Sequence, residues 1–340
     1  MTNRLPEIII SGPPDERGFQ HGYQLKDRVE RAIEFYTRVF GKPEAELFRL
    51  AGHFREKIRG FNPNYVTEIE SLATGAEVDA RYIYALNARS EILSLEPTEC
   101  TALYFQTTRL LGQNWDWARP LEELIVLLRL EPPDTPAISM VAEPGIIGKI
   151  GLNNNGLGVC LNILRVNKKL DGVPIHIVLR AVLDSVDVNQ AFDRIKAAGL
   201  GKASNILIGS SHGQSASVEF AGDESFIIEP ASNMLIHTNH YLGRNINPDH
   251  GVFCSSYARM RAATERVNTI TEQSINAMKS ILLDRSHPDL PIHRPYIPDE
   301  ELGEVGTVCS VVMDLPRRAI HVKKGNTAAT DFVTYQLRKN

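Results

Sequence analysis

The hydrophobic period of this chain changes at Cys100, and that change constrains the fold more than any other feature. Before it, apolar residues recur at three- and four-residue spacings. From Arg17 to Phe40 the stripe is Phe19, Tyr23, Leu25, Val29, Ala32, Ile33, Tyr36 and Phe40, which predicts helix. Further helical patterns run over Leu47–Ile58, Tyr65–Ala73 and Ala80–Leu93, the last ending at a polar turn around Pro97 and Thr98. After Cys100 the apolar runs shorten to strand length and are punctuated by Pro, Asn and Gly, as in Thr101–Gln106, Leu110–Trp117, Leu124–Leu130, Ala137–Val141 and Gly156–Leu164.

Helix returns over Pro174–Ala198. Strands are predicted at Asn205–Ile208, Ala216–Phe220, Ser225–Ile228 and Met234–His237, and a helical stretch at Ser256–Leu283. A proline-bearing loop over 284–304 leads to a closing hairpin, Val308–Met313 and Ala319–Val322. Two batches of strands with intervening helices predict two sheets packed together and covered by helices, an α+β arrangement. The 340 residues suffice for a sizeable core, and 43% hydrophobic with 23% charged excludes a disordered or fibrous chain.

A net charge of −4 supplies no field for nucleic acid or an anionic membrane. No segment approaches the roughly 20 apolar residues of a membrane helix, and the N-terminal apolar run Ile8-Ile9-Ile10 is too short for a secretory signal, so cytoplasm is the expectation. Neither a dinucleotide-binding glycine motif nor a phosphate loop occurs.

Several residues invite chemistry. Cys100 stands where a turn-rich stretch hands over to a strand; its bland reading is a small buried hydrophobe, the reading also given to Cys160, Cys254 and Cys309. In Gly112-Gln113-Asn114-Trp115-Asp116-Trp117 both Asn and Asp are residues that strands usually avoid. They are either a strand-end turn or a carboxylate and an amide held at the lip of a sheet. His237-Thr238-Asn239-His240 reads as a zinc pair, with His250 and Cys254 nearby, or as a strand end on which Asn239 donates to a developing oxyanion. An odd offset along a strand would put the two histidines on opposite faces, against zinc. Gly145–Gly156 reads as a tight, closely packed hairpin, and Glu68, Glu70 and Glu91 as solvated helix faces.

In order along the chain, Arg17–Gly22, Leu86–Glu91, Glu99–Ala102, Gly112–Asp116, Gly145–Gly151, Val173–His176 with Leu179-Arg180, His237–His240, and Ser256 with Arg259 resemble the penicillin acyltransferase (acyl-coenzyme A:6-aminopenicillanate acyltransferase) family of N-terminal nucleophile hydrolases. The resemblance implies an αββα sandwich and a precursor that cuts itself between Glu99 and Cys100. Residues 1–99, mainly helical, and 100–340 would then stay associated as one composite fold. Cys100 would be the nucleophile, its own α-amine the base, Asn239 an oxyanion stabiliser, and Asp116 the group that orients the amine–thiol pair. The expected reaction moves an N-acyl group through a Cys100 thioester to water or to a small amine. No metal or cofactor is expected, and a coenzyme A thioester is possible as a substrate.

Two positions depart from the family pattern: Glu99 stands where the family places glycine, and Glu304 where it places an arginine. No arginine is therefore carried over; Glu304, Thr307 and Trp115 are candidate substrate-binding positions, and Ser256 and Arg259 pocket or structural ones. The alternatives are a non-catalytic small-molecule binder on the same fold, and a zinc amidohydrolase using His237 and His240.

Overall fold

A computed structural model describes residues 4–93, 99–167, 169–222, 224–243, 254–287 and 289–337. Strand β1 (Glu7–Ser11) leads into α1 (Pro14–Gln24), α2 (Lys26–Phe40), α3 (Glu44–Phe61), α4 (Pro63–Ala76), α5 (Ala80–Asn87) and the short α6 (Arg89–Ile92). The hairpin of β2 (Glu99–Phe105) and β3 (Leu110–Ala118) comes next, followed by the single turn α7 (Leu121–Leu124). Then come β4 (Val126–Glu131), β5 (Ile138–Ala142), β6 (Gly151–Asn153) and β7 (Leu157–Ile163). Helices α8 (Ile175–Leu183) and α9 (Val188–Ala198) precede β8 (Ser204–Ser210), β9 (Ser215–Ala221), β10 (Glu224–Ile228) and β11 (Met234–His237). Finally α10 (Cys254–Thr269) and α11 (Ile275–Leu282) lead to β12 (Ile297–Asp299), β13 (Gly303–Asp314), β14 (Ala319–Lys324) and β15 (Val333–Gln336).

Among the described residues the strands form two sheets. One has eight strands in the order β1-β4-β5-β6-β7-β8-β9-β10; the other has seven, β11-β2-β3-β13-β14-β15 with β12 beside β13. Strands β2 and β3 pack on β7, so the sheets lie face to face. Helices α10 and α11 cover the outer face of the seven-stranded sheet, while α8 and α9 cover that of the eight-stranded one. This is the αββα sandwich. No helix among the described residues is long and apolar enough to cross a membrane.

Several predicted helices are interrupted. The stretch 17–40 breaks at Leu25, whose φ of −117° leaves the helical region. The stretch 174–198 breaks before Asp187, whose side chain caps α9 by accepting the Gln190 N–H, and 256–283 breaks before Ser274, which caps α11 through Ala277 N–H. In all three the apolar stripe continues across the break, so periodicity alone reads one helix. Strands β6 and β12, of three residues each, are too short to register as a period, and β1 and β15 were not anticipated. β1 pairs in parallel with β4, so the segment ahead of Cys100 contributes a strand to the larger sheet. The predicted turn at Pro97 and Thr98, the zinc candidate His250 and the Cys254 side chain lie outside the described residues.

The reading of Glu68 and Glu91 as solvated carboxylates is corrected. Glu68 is 1% exposed and accepts from Arg17 (2.7 Å) and Arg180 (2.7 Å); Arg180 also reaches Asp184 (3.0 Å). Glu91 accepts the Ile175 N–H at the head of α8 (2.8 Å), and burial pushes its carboxyl up to about 7. Both lie where the N-terminal helices close over the α8 layer, a contact that helical periodicity cannot report. Glu70 stays near the surface, bonded to Arg55 and Tyr84. In the 145–156 segment Gly148 seats against α8 so closely that a Cβ there would lie 2.2 Å from His176 O.

Candidate active site

Alternation along β2 and β3 decides which residues meet. Cys100 pairs across with Trp115, and Trp115 with Cys309 on β13, so the three share one face. Gln113, on the same face, exchanges hydrogen bonds with Leu161 of β7, which identifies it as the face between the sheets. Glu99 pairs across with Asp116, and Asp116 with Thr307; these point to the opposite face, as does Asn114, which donates to Leu282 O and Ile292 O beside α11. The Cys100 thiol therefore faces the sandwich interior, and the two carboxylates face the α10 side.

The backbone of Cys100 is gripped from three directions. Its N–H donates to Asn239 Oδ1 (2.8 Å); its carbonyl accepts from Asn162 Nδ2 (3.0 Å) and from Arg259 Nη1 (2.7 Å). Arg259, fully buried, also donates to Thr101 Oγ1 (3.0 Å) and Asn239 Oδ1 (2.9 Å). With two donors on its oxygen, Asn239 turns its amide nitrogen to Ile163 O (3.0 Å). Asn239 thus holds the Cys100 nitrogen in this chain, with one amide hydrogen left over for the predicted oxyanion role. Ser256, one helical turn before Arg259, accepts the Asn239 N–H (2.7 Å) and binds His240 Nδ1 (2.7 Å), so a single face of α10 fixes both the Asn239 turn and the arginine.

Two carboxylates facing each other across a ladder repel unless cations intervene. Here Arg294 pairs with Glu99 at 2.6 Å, and Arg259 Nε stands 3.5 Å from it, while Ser255 donates to the same oxygen. Asp116 Oδ1 accepts from Thr307 Oγ1 (2.6 Å), whose oxygen in turn accepts the Arg294 N–H (2.9 Å). Asp116 Oδ2 is buried without a partner among the described residues. Burial pushes the Asp116 carboxyl up to about 6, against the pull of Arg294 and Arg259. Burial, with Asp116 nearby, raises the Cys100 thiol to about 11. In the uncut chain that thiol is protonated at neutral pH.

Among the sequence candidates, Cys100, Asp116, Asn239, Thr307, Trp115 and Glu99 gather within this network. Glu304 does not. It lies three residues back along β13, half-exposed, and its carboxylate pairs with Arg119 at 2.7 Å. His237 binds Glu219 through Nε2 (2.8 Å) and Thr238 O through Nδ1 (2.7 Å), which occupies both ring nitrogens. Among the described residues no group of His, Cys, Asp and Glu is arranged to hold a metal. Asn162, Gln113, Ser255 and Arg294 were not anticipated. Asn162 carried a local signal, an amide inside an apolar strand run; Arg294, in a proline-bearing loop, carried none.

The family model described as Acyl-coenzyme A:6-aminopenicillanic acid acyl-transferase matches residues 105–329. The 40 kDa form of acyl-coenzyme A:6-aminopenicillanic-acid-acyltransferase from Emericella nidulans is 29% identical over 336 residues, covering 94% of this chain and 92% of the relative. Solved structures with some likeness include an N-acylethanolamine-hydrolyzing acid amidase ortholog from Caenorhabditis elegans (14% identical, TM-score 0.47, 64% of this chain and 93% of that one). A penicillin V acylase from Agrobacterium tumefaciens is 12% identical with a TM-score of 0.44, over 70% of this chain and 86% of that one.

Proposed function

The chain belongs to the acyl-coenzyme A:6-aminopenicillanic acid acyl-transferase family and is an acyl-transferring or amide-hydrolysing enzyme of the N-terminal nucleophile kind; from that premise we propose that Cys100 is its nucleophile, exposed by cleavage of the Glu99–Cys100 bond. The observation that carries the reading is the grip on Cys100: its nitrogen lies on Asn239 Oδ1 and its carbonyl between Asn162 and Arg259. These contacts hold the residue in place when its preceding bond is broken.

Cleavage converts the Cys100 amide into an α-amine, whose ordinary pKa of about 7.7–8.0 suits a base near neutral pH. The amine takes the thiol proton, and the thiolate attacks an acyl carbonyl to give a tetrahedral oxyanion. The oxyanion collapses to a Cys100 thioester, and the amine or thiol leaving group takes the proton. Water or an acceptor amine then attacks the thioester and regenerates the thiol. Asn239 offers its remaining amide hydrogen to the oxyanion. Asp116 Oδ2, buried without a partner among the described residues, accepts from the new ammonium group.

The acyl donor in this reading is a small amide or a coenzyme A thioester. The two pieces stay together because β1 is laddered to β4 and because buried ion pairs, Glu68 with Arg180 and Arg89 with Glu143, cross between them. A denaturing mass measurement is the test. Two masses, those of residues 1–99 and 100–340 with Cys100 at the head of the second, are expected for the wild type and a single full-length mass for Cys100→Ala. Turnover of an acyl amide or thioester panel by Cys100→Ala at the wild-type rate would overturn the assignment.

A further inference from the structure

Beside the Cys100 thiol lies a buried charge cluster that the reaction above leaves unused. Trp115, the cross-strand neighbour of Cys100, carries the Lys149 ammonium 3.5 Å from its ring centroid. Lys149 also pairs with Glu143, which simultaneously accepts from Arg89 (2.8 Å) and from the Tyr36 hydroxyl. Lys149, Glu143 and Arg89 are 3%, 0% and 4% exposed. Two cations share one carboxylate, so one positive charge is held in excess away from water, an arrangement that is unfavourable unless another anion meets it. Gly148 sets the geometry: without a Cβ the loop seats against α8, and the next residue is delivered to Trp115.

We propose that Lys149 is a positioning residue for the nucleophile: its ammonium, held on the Trp115 ring, favours the Cys100 thiolate over the thiol and so sets the pH at which the enzyme becomes active. The proposal rests on the reading of Cys100 as the nucleophile. Lys149 exchanges no proton in the step; the thiol proton goes to the α-amine, and the new negative charge on sulfur answers the excess positive one.

The other groups facing the pair leave this role open. On the thiol side burial and Asp116 oppose ionisation while Gln113 and Arg259 favour it, and burial raises the Cys160 and Cys309 thiols, Cys309 against the pull of Lys149. Facing Lys149, Glu143 is held down to about 2, Arg89 is its co-ligand, Tyr36 is kept protonated by burial, and burial drives His176 to the neutral form. Burial brings Lys149 itself down to about 8, against the pull of Glu143, so its charge is present at neutral pH and lost above that value.

The test is the pH dependence of Cys100 alkylation by iodoacetamide, followed by peptide mass, in wild type, Lys149→Met and Lys149→Arg. Lys149 and Cys100 interact electrostatically, and in a partly polar interior a nearby unit charge moves a titrating group by about one pH unit. Lys149→Met should therefore raise the Cys100 titration by about that much, with roughly tenfold slower alkylation on the acid limb. Lys149→Arg should keep the wild-type acid limb and, because a guanidinium never discharges, outpace the wild type between about pH 8 and 9.5. A Lys149→Met protein that titrates like wild type would overturn the proposal. So would an arginine variant that follows the wild-type curve above pH 8, which decides the matter if the methionine variant fails to fold. Alkylation reads the thiol itself, so this result is separable from the turnover of Cys100→Ala that tests the nucleophile reading.

Discussion

The backbone nitrogen of Cys100 and the side-chain oxygen of Asn239 lie 2.8 Å apart, joining residues 139 positions distant in sequence. The same oxygen takes a second donor from Arg259 at 2.9 Å. An asparagine oxygen held between a backbone N–H and a guanidinium has one orientation, and the Cys100 nitrogen is located by it.

Asn239→Ala should lower kcat by about 10²–10³, the range for loss of one preorganised oxyanion donor, with the melting temperature falling only a few degrees. Alkylation of Cys100 should persist, since the thiol remains. Loss of kcat under tenfold would remove Asn239 from the reaction.

Arg259 holds Cys100 O, Thr101 and Asn239 together from a fully buried position. Arg259→Met would leave Glu99 with one cation fewer and the Cys100 carbonyl with Asn162 alone, so a loss of about 3–5 kcal/mol is expected. Arg259→Lys keeps charge but cannot reach three acceptors at once; it should fold and cut itself more slowly. Denaturant midpoints and the time course of the two masses separate these effects, and an Arg259→Lys protein that matures at the wild-type rate would argue against the grip.

Acid should destabilise the protein in two stages. Burial holds His21, whose Nε2 accepts the Gly145 N–H, down to about 4 from 6.5. A base with a depressed folded pKa contributes stability above its ordinary value and loses it as pH falls from 6.5 toward 4, here roughly 3 kcal/mol. Burial would raise Glu143, but Arg89 and Lys149 bring it to about 2. Its contribution is present above 4.5 and lost between 4.5 and 2. Urea midpoints should fall as pH drops below 6.5, and His21→Gln should lessen this first stage without touching the second; burial also holds His176, His240 and His293 down, so part of the slope remains. An unchanged slope in that variant would locate the acid sensitivity elsewhere.

Gly148→Ala places a Cβ 2.2 Å from backbone oxygen and 2.6 Å from the Arg180 Cβ, neither of which can withdraw cheaply. A loss of about 1–3 kcal/mol is expected from overpacking, visible as a lower melting temperature. If the alanine variant melts with the wild type, the loop does not depend on that close approach.

The sequence by itself determined the things that depend on near neighbours along the chain. Apolar runs at strand length placed β2, β3, β7 and β11 close to their observed bounds, and the change of period at Cys100 marked the start of β2. Helical stripes were legible too, but not their breaks at Leu25, Asp187 and Ser274, because an apolar face continues through a kink. Asp116 drew notice for being polar in apolar strand surroundings, a local contradiction that a sequence displays openly, and Asn239 for its place in the His237-Thr238-Asn239-His240 segment. Whether Glu68 is solvated or buried, by contrast, depends on Arg17 and Arg180, one of them 112 residues away. Only the tertiary structure decided that Glu304 faces Arg119, that Arg259 and Asn162 close on the Cys100 carbonyl, and that Lys149 lies on Trp115. The physical reason is that periodicity records which side of an element avoids water, whereas a polar site is defined by partners that satisfy one another across elements, and that pairing is chosen by packing.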